Sequence, residues 1–133
     1  MKAPTRIALL IVAALATTFL FNCSLSSTSI TDRLSDFFST LNGDRSETHK
    51  DLDPAIAAYS TADAGFWETH FPAGNEPYSY TAPNTGTPTD VTTTISDKTG
   101  TIGLWHFDMV NTGSSSSENW VIHDIAGPAG SIL

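Results

Sequence analysis

The chain has 133 residues, 40% of them hydrophobic, and a formal net charge of −8 from six basic and 14 acidic residues. Its single cysteine excludes an intramolecular disulfide and a cysteine-rich zinc site. The acidity opposes phosphate backbones and sets nucleic acid aside as a partner.

Lys2 and Arg6 precede Ile7 to Phe21, a run of 15 residues without a charge. A bilayer-spanning helix needs roughly 20 apolar residues. A positive start and a short apolar core read instead as a secretory signal segment over 1–22. Removing it leaves 111 residues, enough for one domain that buries roughly 65% of its unfolded surface. Four basic residues (Arg33, Arg45, Lys50 and Lys98) then face all 14 acidic ones, a formal charge of −10. Such a domain is repelled by anionic lipid head groups as well.

Leu20-Phe21-Asn22-Cys23-Ser24 resembles a bacterial lipobox, where signal peptidase II cuts before a cysteine that becomes lipidated. Leu20 matches the preferred residue three places before the cysteine. Asn22 stands where the pattern has Gly, Ala or Ser, and Phe21 is bulkier than usual. The resemblance implies a lipid-anchored Cys23, a polar tether over 23–29 and a domain over 30–133. Each buried acyl methylene contributes about 0.8 kcal/mol, and two chains anchor stably where one does not. The anchor would therefore hold the acidic domain at a membrane that it otherwise avoids. Ser24, rather than Asp, resembles cell-envelope lipoproteins sorted onward to an outer membrane. The other reading is a cut after Ala16, which leaves Cys23 a spectator in a tail.

The domain opens with the clearest helix. Ile30, Leu34, Phe37, Phe38 and Leu41 share one helical face, Thr31 and Asp32 supply a start, and Asn42-Gly43 a stop. Asp44 with Glu47 reads as a capping box for a short helix over about 45–51. Asp53-Pro54 reads as the start of another through Tyr59, and Asp63 to Phe71 as a third. Residues 72–90, rich in proline, form an irregular segment with one short strand at Tyr78 to Thr81. Three strands follow: Val91 to Ser96, Thr101 to Val110 after the turn Asp97-Lys98-Thr99-Gly100, and Asn119 to Ile125, which Gly127-Pro128 ends.

Helices first and an antiparallel sheet second predict an α+β fold. The helix ending "FFSTLNGD", a helical hairpin, and a long hairpin whose last strand is "NWVIHDI" resemble the NTF2-like superfamily over about 32–126. The resemblance implies a curved sheet wrapped round helices as a cone with an inner cavity.

Strand alternation puts Trp105, Phe107 and Met109 on one face and Ile102, Leu104, His106, Asp108 and Val110 on the other. In the last strand it groups Trp120, Ile122 and Asp124 against Val121, His123 and Ile125. Strand pairing can then bring His106 beside His123 or Asp124. Burial and a neighbouring charge shift a histidine pKa in opposite directions, so such a pair can serve as a general base. A cross-strand polar pair explains the same residues without catalysis. No HxH or HExxH spacing supports a metal site on His70, His106 and His123. Trp67, Phe71, Trp105, Phe107 and Trp120 read as core or, in a hollow cone, as the lining for a small apolar ligand.

The leading expectation is thus a membrane-anchored cell-envelope lipoprotein without catalysis, cofactor or metal, binding a small apolar ligand or a protein. The alternative is an NTF2-like enzyme of the isomerase or dehydratase type with His106, His123 or Asp124 as base. A hollow interior favours a ligand site, and packed tryptophans favour an interaction protein.

Overall fold

The fold begins inside the serine-rich stretch. Thr28 makes a parallel bridge to Asn119, donating to the Glu118 carbonyl at 2.8 Å and accepting from the Trp120 N–H at 3.1 Å. Residues 28 and 29, expected to belong to a loose tether, are therefore part of the domain. The computed structural model describes residues 27–133. The signal segment, Cys23 and the rest of the tether lie outside the described residues.

Helix α1 spans Ile30–Asn42, and Ser29, two residues earlier than Thr31, caps it. The Ser29 hydroxyl accepts from the Asp32 N–H at 3.1 Å, while the Asp32 carboxylate accepts from the Ser29 N–H at 3.2 Å. This reciprocal box satisfies two N–H groups that helix geometry leaves without partners. The predicted face, Ile30, Leu34, Phe37, Phe38 and Leu41, is buried.

The next segments are tighter than expected. Arg45–Asp51 winds as a 3-10 helix, with the Asp44 carboxylate accepting from the Ser46 N–H and the Asp44 carbonyl from the Glu47 N–H. The helix expected after Asp53-Pro54 shrinks to one turn, α2, Ala58–Thr61. Helix α3, Ala64–His70, is capped by Asp63. Two further 3-10 turns, Ala73–Asn75 and Pro88–Asp90, punctuate the proline-rich segment.

Five strands follow: β1 Ser79–Tyr80, β2 Val91–Asp97, β3 Gly100–Asn111, β4 Trp120–Gly127 and β5 Gly130–Ser131. They form one antiparallel sheet in the order β1-β2-β3-β4-β5. The domain is α+β. β5 was not expected, because Gly127-Pro128 reads as a stop. β4 does end at Gly127, and the chain then turns back through Gly130 at φ +111 into β5.

Two bulges re-aim side chains. In the β2–β3 ladder Ile95 pairs with Gly103 and Ser96 with Thr101, so Ile102 is the extra residue. Ile102 packs against the core rather than lying on the outer face with Leu104. Gly103 sits at φ +133, and a Cβ there would stand 2.6 Å from the Pro128 ring. In the β3–β4 ladder Asp108 pairs with Asp124 and Met109 with Ile122, which makes His123 the extra residue. Ile122 and Ile125 are consequently both buried in the core, contrary to simple alternation.

The interior between α1, α3 and the sheet is filled with rings. Phe37 lies 5.4 Å from Trp67, 5.9 Å from Phe107 and 5.3 Å from Phe38, all edge to face. Phe71 lies 4.9 Å from Trp105 and 5.3 Å from Tyr78. Arg33 clamps the helices to the sheet, donating to Asp51 Oδ1 at 2.8 Å, Trp120 O at 2.8 Å and Asn119 Oδ1 at 3.1 Å. Arg45 joins Glu76 and the Phe71 carbonyl.

Candidate functional site

The geometry around His123 follows from the backbone of β4. Leu52 bridges in parallel to Ile122, and the Asp53 N–H donates to the Ile122 carbonyl at 2.7 Å. This covers the edge of β4 and sets Asp53 beside the bulge. His123, released from the β3 ladder, meets Asp53 there, with Nδ1 2.8 Å from Oδ2. The Asp53 side chain is 8% exposed and that of His123 44%.

Asp53 also accepts from the Ala55 N–H at 2.9 Å. That backbone bond first, and the His123 bond second, hold its carboxyl below the ordinary value of 3.8. A carboxylate depressed on folding stabilises the fold above its unfolded pKa, and the contribution is lost as pH falls through the lower folded value. The stability difference between wild type and Asp53→Asn should therefore shrink as pH falls from neutral into the acid range. Urea midpoints measured across that range check it, and a pH-independent difference contradicts it.

His123 opens onto a hollow of about 620 Å³. Asp108 of β3 and Asp124 of β4 line it with His123, together with the apolar Ile56, Ala57, Ala58 and Leu133. Asp124 Oδ1 accepts from the Ile125 N–H at 2.8 Å and the Ser131 hydroxyl at 2.7 Å. Asp108 Oδ1 is buried without a hydrogen-bond partner. A second hollow, of about 330 Å³, lies between His49, Tyr59 and Asp63.

His123 and Asp124 are thus brought to one hollow, but His106 is not. His106 pairs across the ladder with Ala126, and its Nδ1 lies 2.6 Å from Asp90 Oδ1 at an exposed position. His70 lies 4.8 Å from the Phe66 ring in α3, tilted by 54°, and lines neither hollow. Trp67, Phe71 and Phe107 are fully buried and Trp105 nearly so, while Trp120 is half-buried with its indole N–H on Glu118. None of these five lines either hollow. Among the described residues, no group of three or more His, Cys, Asp or Glu is arranged to hold a metal ion.

Sequence reasoning missed Asp53 as the partner of His123, because it read Asp53 as a helix cap 70 residues away. It placed Asp108 on a strand face and gave it no role. Comparison with protein-family models, with curated proteins and with solved structures finds no match for this chain in any of the three.

Proposed function

We propose that the chain is a cell-envelope lipoprotein, anchored through Cys23, whose domain acts without catalysis by presenting its surface to a partner protein. The observation that carries this reading is the filled interior. Phe37, Trp67, Phe71, Trp105 and Phe107 occupy the space that a hollow cone would leave for an apolar ligand. The anchor rests on the lipobox resemblance at Leu20 to Cys23, and sorting to an outer membrane rests on Ser24. The NTF2-like kinship belongs to the same proposal. It is supported by an amphipathic first helix packed on an antiparallel sheet whose two bulges bend it.

Acyl-chain labelling of the full chain tests the anchor. Wild type should take the label and sediment with membranes, and Cys23→Ala should lose both. Equal labelling of the two would sink the proposal.

One observation favours the enzymatic alternative. Asp53 holds Nδ1 of His123, fixing the ring at the edge of a hollow as a general base requires. On that reading His123→Ala abolishes turnover while the melting temperature falls only slightly.

A further inference from the structure

Thr28 is pinned where β4 begins, its N–H on the Glu118 carbonyl and its own carbonyl on the Trp120 N–H. Cys23 lies five residues earlier. An extended chain spans at most about 3.6 Å per residue, so an acyl group on Cys23 keeps Thr28 within roughly 18 Å of lipid. A domain of this size has a radius of gyration of about 13 Å, and passing halfway round it takes roughly 50 Å of chain. Five residues are too few to let the domain turn over.

The third strand fixes which parts of the domain that reach brings near. β3, Gly100–Asn111, has 12 residues, a length of about 35 Å. Asn111 pairs with Trp120 and so ends the strand beside Thr28. The turn Asp97-Lys98-Thr99-Gly100 lies at the other end, where the Lys98 N–H donates to the Asn75 carbonyl at 3.0 Å.

The anchored end carries the loop from β3 to β4. Thr112 to Ser117 (TGSSSS) has no charge, and residues 112–116 are exposed. Its shape is held by Asn111, whose Oδ1 accepts from the Gly113 N–H at 2.9 Å and the Asn119 N–H at 3.0 Å. Trp120 beside it packs half-buried against the core, with its indole N–H on Glu118. A ring with one apolar side and one polar handle suits a membrane–water boundary. Asp32, bonded to Ser29, and Glu118 make this end negative, which opposes an anionic lipid surface and suits headgroups that carry an ammonium.

We propose that the end formed by Thr28, the 112–119 loop and Trp120 rests on the headgroup layer of a zwitterionic membrane, with the Asp97–Gly100 turn pointing away from it. The proposal rests on acylation at Cys23. It leaves the far end of the sheet as the surface free to meet a partner protein.

The test places the lipidated, isotope-labelled chain in phosphatidylethanolamine–phosphatidylcholine nanodiscs, with and without a headgroup nitroxide. Amide signals of Gly113, Ser115 and Ser117 and the Trp120 indole signal should lose most of their intensity to the nitroxide. Those of Lys98, Thr99 and Gly100 should keep theirs. Equal loss at both ends, or greater loss at 98–100, in a chain that stays on the discs overturns the proposal and leaves the anchor standing. A chain that carries no acyl group and leaves the discs overturns the anchor, and the proposal with it.

Discussion

Phe37→Ala should cost about 3–5 kcal/mol, the usual range for deleting a buried ring from a packed core. Phe37 is fully buried and touches the rings of Phe38, Trp67, Phe71 and Phe107. Those four come from α1, α3, the turn after α3 and β3, so no single element can move inward to refill the space. The loss has two parts, the transfer of apolar surface back to water and the cavity left behind. Edge-to-face ring pairs add about 0.5–1.5 kcal/mol each beyond burial. Urea unfolding of wild type and variant measures it. A loss below about 1 kcal/mol would mean that the interior collapses or was never tight.

Arg33→Ala should cost about 3 kcal/mol at neutral pH, for an electrostatic reason. Arg33 and Asp51 side chains are only 14% and 6% exposed. Removing the guanidinium leaves a buried carboxylate without its cation and leaves the Trp120 carbonyl and Asn119 without a donor. Burial already pushes the Asp51 carboxyl above 3.8, and Arg33 is the main group pulling it back. Without Arg33 it rises further. A carboxyl raised on folding binds its proton more tightly in the folded state, so stability is regained as pH falls through the folded value. The cost of Arg33→Ala should therefore be full at neutral pH and shrink towards the acid range. Adding Asp51→Asn should restore part of it at neutral pH. A cost that is the same at every pH would assign the effect to lost packing of the Arg33 stem instead.

Both residues lie in parts of the fold that the sequence made readable to different degrees. The face of α1 was legible because apolar spacing at a period of 3.6 has few other meanings, and all five of its expected residues are buried. The β2–β3 hairpin was legible from its turn, with Gly100 at φ +129. The clamp made by Arg33 was not. It joins the first helix to residues 86 and 87 positions away, and no local pattern encodes such a contact.

The strand faces were half legible. Trp105, Phe107 and Met109 do share the buried side of β3. Alternation then failed at Ile102 and at His123, because a bulge adds one residue without leaving a signature in the period. That single insertion explains the misplaced Ile125. It also explains why His123 turns to Asp53 rather than towards His106. The segments at 45–51 and 54–59 carried helical start signals, but the first has no apolar residue and the second offers only Ile56 and Tyr59 beside its alanines. Tertiary packing drew the first into a 3-10 helix and left the second one turn long.

The filled interior is tested most directly by xenon, which enters dry apolar cavities and leaves packed cores alone. Methyl and aromatic resonances of Leu34, Phe107 and Ile122 would be followed in the full chain under rising xenon pressure, with Phe37→Ala as the cavity-bearing control. A solid core predicts no saturable shift in wild type and a clear one in Phe37→Ala. Saturable shifts at those residues in wild type would reveal a hollow centre and return the domain to the class of apolar-ligand binders.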